Sequence, residues 1–283
     1  VVDTVETKHT TVEDLARMMV GREVLFKHVK KPSKPGVEVL IVNDLYVLDD
    51  RGLEAVKGVS FTLREGEILG IAGVQGNGQQ ELAEALAGVR KPVKGKILLK
   101  NKDITFTSTL ERYKLGLAYI PASRRIGLVY DMNIVENAIL TSVKKYTSRF
   151  NLLNWIKAVD YSNRVVSEFQ ITTPSVYTLV RYLSGGNQQK LMIGRDILRE
   201  PDVIVFCEPT QGLDVAATDY VRKLILELKD KGKSILLISS DLDEILDLSD
   251  RIAVMYEGRF LSIDKTENYT LEKLGLLMGG YNV

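Results

Sequence analysis

A short turn in the second half of the chain combines residue types that can bind phosphate. Residues 183–190 read Leu-Ser-Gly-Gly-Asn-Gln-Gln-Lys and lead into a helical pattern. Gly185 and Gly186 let backbone N–H groups approach an anion closely, and Ser184 adds a hydroxyl donor at the positive end of the following helix. A Ser-Gly-Gly turn that only caps a helix is the alternative interpretation. The turn is therefore a candidate phosphate-binding element.

A glycine-rich loop in the first half of the chain is a second candidate. Between a buried strand pattern and a helical pattern it places Gly73, Val74, Gln75, Gly76, Asn77, Gly78, Gln79 and Gln80. Its glycines are spaced so that backbone N–H groups can surround phosphate, as in a P-loop. However, Gln79 stands where a P-loop has its phosphate-binding lysine, and Gln80 stands where it has Ser or Thr for magnesium. A dinucleotide-binding loop is the alternative, although that pattern requires glycine at the position of Glu81.

The apolar run 203–207 ends in residues that invite comparison with the magnesium-binding strand of P-loop enzymes. That strand normally ends in an Asp that helps to hold the metal. Here Cys207 stands in that place, and a soft, protonated thiol is a poor magnesium ligand. Glu208 follows at the position of a general base, with a solvated strand-end acid as the alternative. Asp214 lies six residues further on, where it can also act as the N-cap of a helix.

The elements that must position these loops follow an α/β order. A buried strand pattern over 67–72 and continuous apolar runs at 203–207 and 235–238 are typical of parallel strands. Alternating patterns over 37–42 and 56–63 predict a partly exposed antiparallel sheet, and 252–263 predicts a hairpin. The stretch 124–182 lacks this rhythm and predicts short helices. The chain therefore divides into a leader and linker (1–36), a core with antiparallel strands and the glycine loop (37–123), a helical subdomain (124–182), the second part of the α/β core (183–265) and a C-terminal tail (266–283).

Composition excludes several classes of protein. The 283 residues are 45% hydrophobic and 27% charged, as in an ordinary globular protein. Lys and Arg number 38 against 37 Asp and Glu, which argues against nucleic acid as a partner. No apolar run approaches the roughly 20 residues that span a bilayer. A single cysteine fits a reducing cytosol, and the first residue, Val1, suggests a piece of a longer chain.

The glycine loop, the Leu-Ser-Gly-Gly turn and the Glu-Pro-Thr-x-Gly-Leu-Asp run at 208–214, in this order, resemble an ATP-binding cassette (ABC) ATPase subunit. More narrowly, the chain resembles the second, degenerate cassette of the double-cassette ATPases that drive bacterial sugar and nucleoside importers. The Gly-Arg-Glu-Val run at 21–24, the Gly-Asn-Gly-Gln-Gln loop and the Ser-Ser-Asp run at 239–241 carry this narrower likeness. The resemblance implies an α/β P-loop NTPase core with an antiparallel β subdomain and a helical subdomain that bears the signature turn.

In this family the nucleotide site is composite, because each of two cassettes offers its phosphate loop to the signature of the other. The signature positions, which would contact the partner's ATP, are Ser184, Gly185, Gly186 and Gln188. Glu208 matches the general-base position and Asp214 the inter-cassette position. The degenerate positions, besides Gln79 and Gln80, are Ala122 for the lid glutamine, Cys207 for the magnesium carboxylate and Ser240 for the switch histidine. We therefore expect no metal to bind well at the chain's own site, and Mg²⁺ only at the partner's.

These expectations combine into one hypothesis for function. The chain would complete the ATP site of an N-terminal cassette in the same polypeptide and would hydrolyse little or no ATP alone. Its helical subdomain would dock onto a membrane permease at the cytoplasmic face of the membrane, with a solute-binding protein engaged indirectly. Two alternatives are a structural ABC module that binds no nucleotide and a soluble ABC protein of translation or DNA repair. The transported solute is not encoded in these residues.

Overall fold

The computed structural model describes residues 4–6, 10, 30 and 35–281. Most of the expected leader and linker (1–36) lies outside the described residues. The remainder contains two sheets and the helices that flank them. None of the helices in the described part of the chain is long and apolar enough to cross a membrane.

A four-stranded antiparallel sheet and a six-stranded, mainly parallel sheet form the framework. The first has the order β2-β1-β4-β5, where β1 is Glu38–Leu48, β2 is Glu54–Arg64, β4 is Lys94–Leu99 and β5 is Lys102–Asp103. The second has the order β10-β9-β3-β8-β7-β6, where β3 is Ile68–Ala72, β6 is Leu117–Ile120, β7 is Val203–Cys207, β8 is Ser234–Ser239, β9 is Arg251–Tyr256 and β10 is Arg259–Lys265. Only the edge strand β10 runs antiparallel to its neighbour in this second sheet.

The helices cover both faces of the parallel sheet. They are α1 (Gln79–Ala87), α2 (Thr109–Lys114), α3 (Arg124–Gly127), α4 (Ile134–Ile139), α5 (Trp155–Glu168), α6 (Gly185–Ile197), α7 (Val215–Asp230), α8 (Leu242–Leu248) and α9 (Leu271–Met278). The segment 124–182 contains α3, α4 and α5, with short 3₁₀ turns at Val143–Tyr146 and Val180–Tyr182. Sequence reading left 266–283 as a tail, yet α9 buries Leu274 and Leu277 in the core.

Period-two alternation in the buried strands explains the two halves of the core. Every residue of β3, β7 and β8 is buried, as the continuous apolar runs predict. Ile68, Ile204 and Phe206 face the cluster formed with α6 to α9. Leu69 and Val205 face the opposite cluster, which contains α1 and the antiparallel sheet. The sheet is thereby fixed on both faces, so its strand ends can hold loops in constant relative positions.

Candidate functional site

The predicted nucleotide-site residues meet where the carboxyl ends of neighbouring parallel strands converge. A cavity of about 370 Å³ lies there, lined by Gln75, Gly76, Gln79, Gln80, Ala122, Ser123, Cys207, Glu208, Gln211 and Ile238. The glycine loop follows β3, Ala122 follows β6, and Cys207 ends β7. Ser240, which follows β8, reaches the same place through Glu208. The structure therefore gathers the glycine loop, Glu208 and the degenerate positions into one site.

Two glycines determine the shape of the phosphate loop. Gly76 and Gly78 have φ angles of 94° and 101°, in the left-handed region that L side chains rarely adopt. A Cβ atom at Gly78 would lie 2.2 Å from the carbonyl oxygen of Ala55 on β2. The sequence thus keeps the backbone geometry of a phosphate loop, including the entry into α1, although its functional side chains have changed.

The two glutamines that replace the P-loop lysine and hydroxyl take different positions. Gln79 is only 8% exposed, and its amide is hydrogen-bonded to the backbone of the loop itself. Gln80 is exposed and donates from Nε2 to Oε1 of Glu84, one turn along α1, at 2.8 Å. Neither side chain presents a cation or an oxygen suited to magnesium inside the cavity.

Cys207 cannot take over the role of a magnesium carboxylate. The residue is 3% exposed, and burial raises the pKa of its thiol to about 12. The side chain is therefore neutral at physiological pH, whereas Mg²⁺ is bound by anionic or strongly polar oxygen atoms. Among the residues that the structure describes, no group of three or more His, Cys, Asp or Glu side chains could hold a metal ion. The donor set of this site does not fit magnesium.

Glu208 is held by Ser240, which stands at the switch-histidine position. Its Oε1 accepts a hydrogen bond from the Ser240 backbone N–H at 2.9 Å, and its Oε2 accepts one from the Ser240 hydroxyl at 3.1 Å. The φ of Glu208 is 45°, an unusual value for a residue with a side chain. Burial raises the pKa of the Glu208 carboxyl, although the bonds from Ser240 oppose this shift. The strand-end acid is thus half-buried and constrained, not freely solvated.

The signature turn lies at the start of α6, and its residues are not among those that line the cavity. Ser184 is the exposed N-cap of this helix, and its hydroxyl oxygen accepts hydrogen bonds from the backbone and side-chain N–H groups of Asn187. A Cβ at Gly185 would meet only Arg124 within 4 Å, and the Gly185 backbone is therefore open. The turn is both a helix cap and an accessible group of donors, so the two interpretations of the sequence are compatible.

Gln188 faces inwards, which differs from the outward role that its place in the signature implied. The residue is 8% exposed, and its Nε2 donates to the carbonyl oxygens of Val180 and Leu183, each at 3.1 Å. Its Oε1 accepts a hydrogen bond from the Tyr130 hydroxyl at 3.1 Å. The side chain has no polar atom left for a ligand, because these bonds use both ends of the amide. Gln188 therefore positions the signature turn from behind.

The loop after Glu208 contains the expected inter-cassette acid and a contact that sequence reading missed. Asp214 is exposed and caps α7 by accepting from the Ala217 N–H at 2.8 Å. Arg124 donates from Nη1 to the carbonyl oxygen of Gln211 at 3.2 Å, and its Nη2 lies 3.7 Å from the position of a Cβ at Gly185. Arg124 thus bridges this loop and the signature turn. The sequence signal that could have identified Arg124 was a basic residue two positions after Ala122, the lid position.

Comparison with known proteins agrees with this geometry. A family model described as ABC transporter matches residues 56–211, more than half of the chain. The chain belongs to the ABC transporter family. A nucleotide-free ATP-binding cassette from an ABC transporter shares the fold, with a TM-score of 0.71, 22% sequence identity and coverage of 87% of this chain and 100% of that one. The predicted fold, a P-loop NTPase core of the ABC type, is thereby confirmed.

Two curated relatives are similar over nearly the whole chain. The guanosine import ATP-binding protein NupO of Bacillus subtilis is 44% identical over 99% of this chain and 55% of its own length. The nucleoside import ATP-binding protein NupA of Lactococcus lactis is 41% identical over 100% of this chain and 56% of its own length. The chain therefore spans about half the length of the curated relatives that it matches.

Proposed function

We propose that the chain is the second cassette of a double-cassette ATPase that drives a bacterial importer of nucleosides or sugars. Both curated relatives named above support the nucleoside class of substrate, since they are described as guanosine and nucleoside import proteins. Their length leaves room for a further cassette of similar size. The N-terminal cassette of the same polypeptide is then the immediate partner.

The observation that carries this proposal is the contrast between two parts of one chain. The signature turn keeps its serine and both glycines on an accessible helix start, whereas the chain's own loop and strand ends lack groups for γ-phosphate and magnesium. In the proposed assembly, Ser184 and the N–H groups of Gly185 and Gly186 contact ATP on the first cassette, and Asp214 lies across the same interface. Mg²⁺ is bound on that cassette, and this chain's residues supply donors to the phosphate oxygens.

The chain's own site is proposed to turn over little or no ATP. Removal of one preorganised charge-stabilising group typically costs roughly 10²–10³ in rate. The lysine, the magnesium hydroxyl, the magnesium carboxylate, the lid glutamine and the switch histidine are all replaced here, and such losses are not additive. Even a discounted total leaves Glu208 without a metal-bound phosphate on which to act. This site would hold nucleotide weakly at most.

The helical subdomain is the proposed docking surface for the permease. Beside it lies a groove of about 560 Å³, formed where α2 and the ends of α4 and α6 approach one another. Leu110, Leu140 and Val143 line this groove and are exposed in the chain alone. Exposed apolar side chains inside a groove are typical of a protein-binding surface. Docking there would place the chain at the cytoplasmic face of the membrane, with the solute-binding protein reached only through the permease.

Hydrolysis by the full-length protein with its permease tests this proposal. Ser184→Ala should lower the ATPase rate by about 10²-fold, because a donor to the partner's phosphate is removed. Ser167→Ala, on an exposed position of α5, is the matched control and should leave the rate unchanged. Ready hydrolysis of Mg-ATP by this chain alone, or a Ser184→Ala protein with a normal rate, would contradict the proposal.

A further inference from the structure

The side chain of Gln79 lies inside the phosphate loop, not beside it. Its Nε2 donates to the carbonyl oxygen of Val74 at 2.9 Å, and its Oε1 accepts from the backbone N–H of Asn77 at 3.1 Å. A Cβ at Gly73 would lie 2.3 Å from this Nε2, so the amide is packed against the loop backbone. Gln79 therefore spans the loop from its first residues to its tip.

The N–H group that Gln79 uses belongs to the loop's anion-binding surface. A phosphate loop binds anions through successive backbone N–H groups that point into a concave nest. In this chain the Asn77 N–H, near the tip of that nest, is already bonded to the neutral oxygen of the Gln79 amide. A phosphate oxygen can use this donor only after the amide has left.

The surrounding contacts hold the loop in this arrangement. The Asn77 side chain donates to the Val74 carbonyl oxygen at 3.0 Å and accepts from the Glu257 N–H at 2.8 Å. The Gly258 N–H also donates to the Asn77 carbonyl oxygen at 3.0 Å. The β9–β10 turn therefore fixes the tip of the loop, while Gln79 fills its interior. The loop keeps its shape without a bound anion.

We propose that the Gln79 amide is an internal occupant of the phosphate nest, which closes this loop to nucleotide and keeps it folded. The proposal rests on the proposed function, in which this site is the idle one of a pair. It goes further than the proposed function. Absence of the lysine only removes a cation that would attract phosphate, whereas the Gln79 amide competes with phosphate for the Asn77 N–H. The two cases predict different results when Gln79 is replaced by alanine: unchanged binding if only the lysine is missing, and tighter binding if the amide competes with nucleotide.

Equilibrium binding of a fluorescent ATP analogue to this chain, with and without Mg²⁺, separates them. Gln79→Ala frees the Asn77 N–H, and the analogue should bind about tenfold more tightly than to the wild type, since one to two modest hydrogen bonds no longer compete. Asn163→Ala, which removes an exposed amide on α5 outside the cavity lining, is the matched control and should bind as the wild type does. Gln79→Ser provides a second shortened side chain, and thermal unfolding checks that each variant is folded.

Unchanged or weaker binding by both Gln79→Ala and Gln79→Ser would contradict the proposal that the Gln79 amide occupies the phosphate nest. A variant with Gln79→Lys and Cys207→Asp restores a cation and a metal ligand. It should bind the analogue at least as tightly as Gln79→Ala does, and it alone should bind more tightly when Mg²⁺ is present. This outcome is separate from failure of the proposed function, which would show as Mg-ATP hydrolysis by the wild-type chain. The proposal for Gln79 can thus be wrong while the proposal that this site hydrolyses little or no ATP remains correct.

Discussion

At the scale of single residues, polar groups of the chain's own site are hydrogen-bonded to other groups of the protein. Ser240 donates twice to Glu208, and Gln79 bonds to its own loop. Cys207 lines the same cavity as a buried, neutral thiol. In a working site these groups would face nucleotide, metal and water. Here the side chain of Glu208 is bonded to Ser240 and that of Gln79 to its own loop, which stabilises the folded chain without a ligand.

The raised pKa of Glu208 gives a testable effect of pH on stability. Because the folded-state pKa lies above the ordinary glutamate value of 4.5, burial stabilises the protonated form, and the wild type loses stability as pH rises above 4.5 through the folded pKa. Glu208→Gln keeps the shape but cannot ionise. Its Oε1 can still accept from the Ser240 N–H, and its Nε2 can donate to the Ser240 hydroxyl oxygen, which reverses the direction of the second bond. Its melting temperature should exceed that of the wild type at pH 8, and the difference should shrink towards pH 4.5.

Thermal unfolding from pH 4.5 to pH 8 measures this effect. Glu81→Gln serves as a control, since that carboxyl lies in the first turn of α1. A Glu208→Gln protein with no gain at pH 8, or with a gain that is the same at every pH, would show that desolvation of this carboxyl is not significant.

At the scale of elements, a buried arginine supports the helix that carries the phosphate loop. Arg112 on α2 is 1% exposed and donates from Nη1 to the carbonyl oxygens of Ala85 and Leu86 at the end of α1. Its Nη2 donates to the Thr105 carbonyl oxygen at 3.1 Å. Burial lowers the pKa of the guanidinium to about 10, so it stays charged at neutral pH. A cation at this end complements the dipole of α1.

Removal of this cation should weaken the whole fold. Arg112→Met fills a similar volume but leaves the buried carbonyl oxygens of α1 and Thr105 without donors, at about 1–3 kcal/mol for each unsatisfied group. We expect the free energy of unfolding in urea to fall by about 3 kcal/mol. Lys114→Met, at an exposed position of the same helix, should change it by less than about 0.5 kcal/mol. Equal losses in both variants would contradict the capping role.

Sequence reading succeeded where a local pattern determines structure. The apolar runs of β3, β7 and β8 identified the parallel sheet, and glycine spacing identified the phosphate loop. It failed where contacts with residues distant in the sequence determine the position of a side chain or helix. The inward turn of Gln188 depends on Tyr130, 58 positions away, and the place of Arg124 depends on Gln211, 87 positions away. The packing of α9 also went unpredicted, because its partners β9 and α8 are set by the tertiary fold.

At the scale of the whole molecule, the groove beside the helical subdomain is the surface at which the proposed docking to a permease can be tested. Leu140 lines it and is 39% exposed. The segment from Asn137 to Val159 around it contains Lys144, Lys145, Arg149 and Lys157 and no acidic residue. An apolar permease segment with acidic neighbours would complement both properties.

Truncation of Leu140 should weaken docking without harm to the fold. In the full-length protein, Leu140→Ser is expected to lower the affinity for the permease in detergent by about tenfold, as for a contact of about 1–2 kcal/mol near the centre of an interface. Leu276→Ser, at a similarly exposed position on α9, should have no effect. Normal affinity of the Leu140→Ser protein, or equal losses for both variants, would exclude this groove as the docking site.

The inward-facing amide of Gln188 has a mechanical consequence. It joins the start of α6 to Tyr130 and to the backbone at Val180 and Leu183. Movement of Tyr130 or of the 180–183 turn relative to the start of α6 would break these hydrogen bonds, two of which are buried. In the proposed assembly, these bonds would pass a displacement of that segment on to the signature turn and so to the ATP of the first cassette. Gln188 would thus connect the helical subdomain mechanically to the signature turn.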